Sequence, residues 1–236
     1  MSTPATFYFS FRSPYSWLAY HDLSTHHRRY LNELRWQPFW EPNEEFDRIL
    51  QTKNQPFPYV PMSKAKHLYM LQDVRRQARA RGLQNVWPAD EHPAWEISHL
   101  PWYVAQHHGL CHEYIAQVYE ARWVRGADIH DPAVIDAITQ RIAPHVFAPV
   151  ADIVADRHIQ QLAAQSLQEI WENDVFGVPY FLKGTQRFWG MDRLEAFLTT
   201  MPQPSPDEAN TAVERTKIPA AAAAHTADPG HEGGCG

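Results

Sequence analysis

The sequence predicts an α/β protein with a small sheet and many helices. Phenylalanines alternate with other residues over positions 7–11, which is typical of a short buried strand, and Ser13 and Pro14 then provide a helix start. Far along the chain, two short apolar runs meet at Gly184 and predict a β-hairpin. Between these segments, residues 61–173 have helical periodicity throughout. Strands at both ends of the chain and helices between them therefore define the predicted fold class.

The N-terminal elements predict a β-α-β unit. We expect strand one at residues 6–11, a helix from residue 14 to about residue 30, and strand two at residues 34–40. Because such connections are right-handed, the two strands are predicted to be parallel neighbours. Pro38 favours an edge position for strand two, or an early end of that strand.

A proline-rich loop and a series of helices follow. Residues 41–61 contain four prolines, so we expect a loop there, with one helical turn at 44–49. After the hairpin, Gly190 precedes a last short helix with Asp192 in its first turn, where an acid is favourable. Apolar spacing predicts the other helices over residues 68–78, 94–107, 111–124, 132–142, 149–156 and 158–171.

Charge and composition exclude several classes of protein. A net charge of −6 and a pI near 6.1 argue against a nucleic-acid-binding surface or a polybasic membrane surface. The chain has no apolar run of about 18 residues, so no transmembrane helix is expected. Its N-terminus lacks the basic and apolar regions of a secretory signal. Two distant cysteines, Cys111 and Cys235, fit a reducing cytoplasm better than a disulfide scaffold.

The fourteen histidines raise the question of a metal site. They are scattered, and the sequence contains no His-Glu-x-x-His pattern. We therefore interpret them as surface or core residues and expect no metal. The aromatic residues of the helical region, including Tyr119 and Trp123, are interpreted as core, although some of them would suit an apolar pocket.

Three blocks of sequence together resemble a known family. They are Phe-Tyr-Phe-Ser-Phe-Arg-Ser-Pro-Tyr-Ser-Trp-Leu-Ala at 7–19, Gly-Val-Pro-Tyr-Phe at 177–181 and Phe-Trp-Gly-Met-Asp-Arg-Leu at 188–194. In this order and spacing they resemble the 2-hydroxychromene-2-carboxylate isomerases and the kappa-class glutathione transferases, over about residues 5–200. The resemblance implies a thioredoxin-like fold with a large all-helical insertion, of the type shared with the DsbA oxidoreductases.

The resemblance also implies a domain organisation. Residues 1–60 and 174–201 would form a discontinuous thioredoxin-like domain, and residues 61–173 an inserted helical domain. Beyond residue 201 the composition changes to prolines, an alanine run and a glycine-rich end without apolar periodicity. We therefore expect residues 202–236 to be a disordered tail.

The start of the first helix suggests chemistry that uses a thiolate from outside the protein. Thioredoxin-like oxidoreductases carry Cys-x-x-Cys at this position, whereas residues 11–14 here are Phe-Arg-Ser-Pro. Disulfide exchange is therefore not expected. Lowering a thiol pKa from about 8.5 to about 6.5 takes ~2.7 kcal/mol. A charge-assisted hydrogen bond of roughly 1.5–3 kcal/mol from Ser13, with roughly 0.3–1 kcal/mol from the helix N-terminus, is sufficient.

The resemblance implies that glutathione is the source of this thiolate and assigns roles to five residues. Ser13 would be the thiolate partner. Val178, before a Pro179 that is able to adopt the cis form, would pair its backbone with the cysteinyl part of glutathione. Met191 and Asp192 would hold the γ-glutamyl end, with Asp192 facing its ammonium group.

Two further residues match the family more loosely, and one segment departs from it. Asn54 and Lys66 correspond to an asparagine and a lysine that the family uses near glutathione. The family's glycine-bearing segment after strand two is absent, and Trp-Glu-Pro-Asn-Glu stands at 40–44 instead. Interpretations without a role in binding stay open for four residues: Ser13 as a helix cap, Asp192 as a first-turn acid, Lys66 as a solvated residue and Asn54 as a turn residue.

The function that these features predict is a glutathione-dependent cis-trans isomerase of an aromatic or conjugated carbonyl compound. The alternatives are a kappa-like glutathione transferase and a glutathione-independent DsbA-like binding or biosynthetic protein, which the altered segment 40–44 and the tail would suit. The resemblance also implies a homodimer.

Overall fold

The computed structural model describes residues 4–58, 62–90 and 93–203. The chain divides into two units, residues 1–200 and residues 201–236, and every helix and strand described here lies in the first. The predicted tail at 202–236, with Cys235, lies outside the described residues except for residues 202 and 203. No helix in the described ranges is both long enough and apolar enough to cross a membrane.

Four short strands form one mixed sheet, which confirms the α/β class. The strands are β1 (Thr6–Phe9), β2 (Arg35–Pro38), β3 (Tyr180–Lys183) and β4 (Gln186–Trp189), in the order β2-β1-β3-β4. As predicted, β1 and β2 are parallel, and β3 and β4 form an antiparallel hairpin. β1 pairs with β3 in the antiparallel sense, so the first strand of the chain and the first strand of the hairpin lie side by side in the centre of the sheet.

The first helix, α1 (Pro14–His26), begins where the sequence predicts and ends about four residues early. His27 has φ −131° and ψ 34°, which lies outside helical geometry, and a 3-10 turn at Arg28–Leu31 follows it. β1 also ends earlier than predicted, at Phe9, because residues 10 to 13 turn into the helix. Pro38 is the last residue of β2, which is an edge strand, as expected.

Helices occupy most of the chain between β2 and β3. The predicted turn at 44–49 is a longer helix, and the predicted helix at 94–107 is divided before Pro101, which has no backbone N–H to donate. The helices are α2 (Glu44–Thr52), α3 (Lys64–Ala80), α4 (Glu96–His99), α5 (Pro101–His107), α6 (Cys111–Tyr119), α7 (Pro132–Ile142), α8 (Val150–Ala155) and α9 (Arg157–Glu172). A π-helical turn at Glu120–Val124 continues α6, and after β4 a 3-10 turn at Met191–Arg193 leads into α10 (Leu194–Leu198).

Helices pack against both faces of the sheet. On one face, the Phe181 ring stacks on Phe7 at 4.8 Å and on Phe197 of α10 at 5.0 Å. Tyr8 follows Phe7 along β1 and points to the opposite face, where its hydroxyl donates a hydrogen bond to Glu169 of α9 at 3.2 Å. β1 is therefore buried on both sides, which explains its run of three aromatic residues.

A buried ion cluster stabilises the helical part. The guanidinium of Arg122, whose side chain is 2% exposed, donates to both carboxylate oxygens of Asp90 at 2.9 and 2.8 Å. His130 Nδ1 accepts from the N–H of Ala94, so its Nε2–H donates to Asp90 Oδ1 at 3.1 Å. Burial alone would raise the pKa of Asp90, but the hydrogen bonds from His130 and Arg122 outweigh it and hold that pKa well below its usual value.

Candidate active site

Ser13 lies at the N-terminal end of α1 and makes two side-chain hydrogen bonds. Its Oγ accepts from the backbone N–H of Ser16 at 3.1 Å, which is the bond of a helix N-cap. The same hydroxyl donates to the backbone carbonyl of Val178 at 3.3 Å. The side chain is only partly buried. The structure therefore brings an accessible hydroxyl, the positive end of a helix and a segment 165 residues away into contact.

The segment opposite Ser13 begins β3. The Val178–Pro179 peptide bond is cis, the isomer that the sequence allowed. Pro179 is buried, and its carbonyl accepts a hydrogen bond from the N–H of Gly190 at 2.9 Å. The 3-10 turn that follows Gly190 packs against α1. Met191 and Asp192 in that turn therefore belong to the same part of the molecule as Ser13 and Val178.

Asp192 keeps an accessible carboxylate in this turn. Gly190 has φ +105°, and a Cβ added there would lie 2.6 Å from Asp192 Oδ1, so the carboxylate folds back over the glycine. The Asp192 side chain is 69% exposed, and the guanidinium of Arg193 lies 3.6 Å away. An exposed carboxylate with one weak cationic partner is free to accept hydrogen bonds from a ligand.

Comparison with protein families agrees with this geometry. The family described as the DsbA-like thioredoxin domain matches residues 5–201. The chain belongs to this family. The match confirms the thioredoxin-like fold and the DsbA relationship that the three sequence blocks imply. No curated protein matches the sequence of this DsbA-like protein.

Solved structures share the fold at low sequence identity. A 2-hydroxychromene-2-carboxylate isomerase is 20% identical, with a TM-score of 0.65, and the alignment covers 92% of this chain and 99% of the isomerase. A probable DsbA oxidoreductase from Streptomyces coelicolor is 14% identical (TM-score 0.58; 86% and 97% covered). The cytosolic disulfide reductase DsbM from Pseudomonas aeruginosa, solved with GSH, is 13% identical (TM-score 0.55; 83% and 97% covered). These likenesses show the fold.

This DsbA-like protein has no thiol at the start of α1. Residues 11–14 are Phe-Arg-Ser-Pro. The thiol of Cys111, at the start of α6, is partly buried, and burial with the nearby Glu113 raises its pKa to about 12. A thiol that stays protonated at neutral pH is a poor nucleophile. Within the described ranges, no three His, Cys, Asp or Glu side chains are grouped to hold a metal ion.

Two predicted site residues, Asn54 and Lys66, are exposed and stand apart from these contacts. Asn54 follows α2 with φ 54°, a left-handed conformation that asparagine tolerates well. Lys66 lies in the first turn of α3, and its backbone N–H donates to the N-cap Ser63. Among the described residues, no hydrogen bond or ion pair joins either residue to Ser13. Their roles toward glutathione stay predictions.

The direction of α3 nevertheless places Lys66 on the Ser13 side of the molecule. Tyr15, near the start of α1, donates to Asp73 at 2.8 Å, and Asp22 further along α1 pairs with Arg81 at 2.7 Å. The two helices therefore run in the same direction. Lys66 precedes Asp73 by about two helical turns, or roughly 10 Å. The first turns of α3 thus extend beyond the end of α1 where Ser13 lies.

Three buried side chains from the helical part bond to the loop before Ser13. The hydroxyl of Tyr119 donates to the carbonyl of Ser10 at 3.1 Å, and Trp123 Nε1–H donates to the carbonyl of Phe11 at 3.2 Å. His99 Nε2 accepts from the N–H of Phe11 at 3.2 Å. Sequence reasoning missed these contacts, because partners about 90 to 110 residues apart leave no local signal.

His99 is neutral in this arrangement. It is fully buried, and its Nδ1 lies 2.8 Å from the carbonyl of Trp95. A carbonyl only accepts, so Nδ1 carries the proton and Nε2 is left as the acceptor for Phe11. Burial lowers the pKa of His99 to about 3, which keeps this tautomer uncharged at neutral pH.

The segment at 40–44 that departs from the family is integrated into the structure. Trp40 is buried and stacks on His99, with ring centroids 5.6 Å apart and an interplanar angle of 24°. The carboxylate of Glu41 forms an ion pair with Arg12, the residue before Ser13. The guanidinium of Arg12 also lies over the Trp95 ring, 5.4 Å from its centroid. The segment therefore places the carboxylate of Glu41 against Arg12, the chain neighbour of Ser13.

Proposed function

We propose that this protein is a glutathione-dependent cis-trans isomerase of an aromatic or conjugated carbonyl compound. The observation that carries the proposal is the contact of Ser13 Oγ with the Val178 carbonyl at the N-terminal end of α1. Two proteins of similar fold support it, since one is a 2-hydroxychromene-2-carboxylate isomerase and another was solved with GSH.

The residues around Ser13 fit glutathione chemically. The bond from Ser13 Oγ to Val178 is 3.3 Å long, whereas O–H···O bonds are usually about 2.7–2.8 Å. The hydroxyl is therefore held weakly, and it is able to turn toward a thiolate, which is a stronger, charged acceptor. The exposed carboxylate of Asp192 offers a partner for an ammonium group. The site thus provides a donor for the thiolate and an acceptor for the ammonium group.

Each of these residues has a defined task. Glutathione, when bound, supplies the thiol that adds reversibly to a conjugated double bond and so permits rotation about it. Ser13 donates its hydrogen bond to the sulfur and, with the end of α1, favours the thiolate. The backbone of Val178 orients the cysteinyl part, and Met191 and Asp192 hold the γ-glutamyl end.

An aromatic pair beside the site suits an aromatic substrate. Phe176 and Trp189 are each about half exposed, at 52% and 51%, and their ring centroids lie 5.0 Å apart. The indole of Trp189 lies against Gly177, where an added Cβ would be 3.1 Å from its Nε1. An exposed aromatic surface one residue from Val178 supports an apolar, conjugated substrate rather than a polar one.

A glutathione-independent function is the second candidate, and the ion pair of Arg12 with Glu41 favours it. Glutathione carries a net negative charge at neutral pH, and a guanidinium that is already paired with a carboxylate attracts an anion less strongly than an unpaired one. In that case the region around Ser13 and Val178 would bind another ligand, and no thiol would take part.

The test is an isomerisation assay with 2-hydroxychromene-2-carboxylate, with and without glutathione. We expect turnover to require glutathione without consuming it. Ser13→Ala should lower kcat/KM by about 10- to 150-fold, which corresponds to the loss of a hydrogen bond worth about 1.5–3 kcal/mol. Asp156→Ala is the control for the loss of a helix cap, because Asp156 caps α9 in the same way and, among the described residues, no hydrogen bond or ion pair joins it to Ser13.

The outcomes separate the candidates. Stoichiometric consumption of glutathione with release of an adduct would indicate a kappa-like transferase. If omission of glutathione and Ser13→Ala both leave turnover unchanged, the thiolate mechanism is wrong. Calorimetry that detects no heat with glutathione would favour the glutathione-independent candidate.

A further inference from the structure

We propose that His99, Tyr119 and Trp123 are positioning residues, which fix the loop at residues 10–13 and thereby set where the hydroxyl of Ser13 points. The inference deepens the proposed function, on which its glutathione readout rests. It gives three residues of the helical region a part in the active site, and none of the three is among the predicted site residues.

The loop and α1 bond only some of the loop's backbone groups themselves: Ser16 Oγ accepts from the N–H of Ser10 at 3.3 Å, and Ser10 Oγ accepts from the N–H of Arg12 at 3.2 Å. The helical region supplies partners for others. The carbonyl of Ser10 accepts from the N–H of Ser13 at 3.1 Å and from the hydroxyl of Tyr119 at 3.1 Å. The first of these bonds closes the turn that leads into α1. The second ties the same carbonyl to the end of α6. A shift of Ser10 would therefore be transmitted directly to Ser13.

Phe11 is held at both of its backbone polar groups. Its N–H donates to His99 Nε2, and its carbonyl accepts from Trp123 Nε1–H, each at 3.2 Å. All three residues are almost completely buried. A buried backbone group that loses its partner costs about 1–3 kcal/mol. The two peptide planes that flank Phe11 are therefore each fixed by one side chain of the helical region.

The same elements also surround the loop with aromatic rings. Phe11 packs against His99 at 4.9 Å and against Tyr119 at 5.5 Å, and Trp17 of α1 stacks on Trp123 at 6.1 Å with an interplanar angle of 18°. Hydrogen bonds fix the backbone of the loop, and these rings fix the first turns of α1. Ser13 lies between the two, and its own side chain spans to Val178.

Hydrogen exchange of single backbone amides tests the proposal without any ligand. Tyr119→Phe removes the hydroxyl and keeps the ring, and His99→Leu removes the acceptor for Phe11. We expect the Ser13 amide to exchange at least 10-fold faster in Tyr119→Phe, and the Phe11 amide to do so in His99→Leu. The exchange rates of the β4 amides should not change in either variant. His99→Gln retains an acceptor and should restore protection of Phe11. Tyr8→Phe is the control, because its hydroxyl bonds to Glu169 of α9.

The second readout is the pKa of glutathione's thiol in the bound state, measured from the ultraviolet absorbance of the thiolate. We expect Tyr119→Phe to raise this pKa by at least half a unit and Tyr8→Phe to leave it unchanged. A structural role alone would lower the free energy of unfolding in both variants and move this pKa in neither.

The two readouts distinguish the two proposals. If the wild-type protein does not bind glutathione, the proposed function fails, and the exchange data alone decide whether these residues position the loop. Exchange that is unchanged, or that rises equally throughout the chain, would overturn the positioning role. Faster exchange in the loop with an unchanged thiol pKa in bound glutathione would also overturn it.

Discussion

Two polar regions of this protein differ in how completely their hydrogen-bonding groups are used. The cluster of Asp90, Arg122 and His130 is largely buried, and both carboxylate oxygens of Asp90 are bonded at 2.8 to 3.1 Å. Ser13 and Asp192 are accessible: the Ser13 hydroxyl donates a long hydrogen bond of 3.3 Å to Val178, and the Asp192 carboxylate lies 3.6 Å from the guanidinium of Arg193. A carboxylate that is bonded at both oxygens has little capacity for a ligand, and the contribution of the Asp90 cluster is to stability. Unsaturated groups at the end of a helix are able to exchange their partners for a ligand's atoms.

The largest effect should come from breaking the cluster of Asp90, Arg122 and His130. Asp90→Asn leaves the charge of Arg122 buried without a counter-ion, so we expect a loss of about 3 kcal/mol in the free energy of unfolding. Denaturant titration measures this loss. Glu120→Gln is the control, because its pair with Arg125 is exposed and 3.6 Å long, and it should cost at most about 0.5 kcal/mol. A similar loss in both variants would contradict the difference between buried and exposed pairs.

Acid should remove the same stabilisation. The pKa of Asp90 is held below its unfolded value of about 3.9, so the unfolded state binds its proton first as the pH falls. The stabilisation is therefore fully present above about pH 5 and is lost as the pH falls toward the folded pKa. The difference in unfolding free energy between wild type and Asp90→Asn should narrow below about pH 4. A constant difference from pH 7 to pH 2 would show that ionised Asp90 contributes nothing.

Substitution of Gly190 tests whether ligand binding depends on the placement of the Asp192 carboxylate. Gly190→Ala and Gly184→Ala both put alanine at positive φ, at +105° and +58°, and should each cost about 1–2 kcal/mol of stability. Only the Cβ at Gly190 would meet Asp192, and no atom lies within 4 Å of the one at Gly184. We expect Gly190→Ala alone to raise the Kd for glutathione, by about 3- to 10-fold. Equal affinity in both variants would remove Asp192 from the site.

The smallest effect is expected at the exposed residues. Lys66→Ala and Asn54→Ala should raise the Kd for glutathione by less than about 3-fold, because exposed charges and amides interact weakly with ligands in water. Lys64→Ala, two residues earlier in α3, is the control for the loss of an exposed charge. A 10-fold effect of Lys66→Ala with none from Lys64→Ala would show that Lys66 contacts the ligand directly.

Much of the fold could be predicted because its signals are local. The strand pattern at 7–11, the Ser13 cap and the turn at Gly184 each depend on neighbouring residues. The cap and the turn lie where the sequence places them, and the first strand is present although it ends early, at Phe9. The end of α1 and the division at Pro101 were missed. In both cases, the apolar spacing continues while the backbone geometry changes.

The candidate site could be predicted only in part, because some of its contacts join residues that are far apart in the sequence. Ser13, Val178 and Asp192 lie in recognisable blocks of sequence. The partners of the loop, His99 and Tyr119, lie in helices whose aromatic residues look like ordinary core. Their hydrogen bonds to Phe11 and Ser10 depend on how the helices pack against the loop, and no spacing in the sequence encodes that packing.

The most direct measurement is the pKa of the thiol of bound glutathione in wild type and in Ser13→Ala, by ultraviolet titration of the thiolate. The account predicts a wild-type value at least one unit below the free thiol and a rise of about 1–2 units in Ser13→Ala. An identical thiol pKa in the two proteins, or in bound and free glutathione, would contradict it.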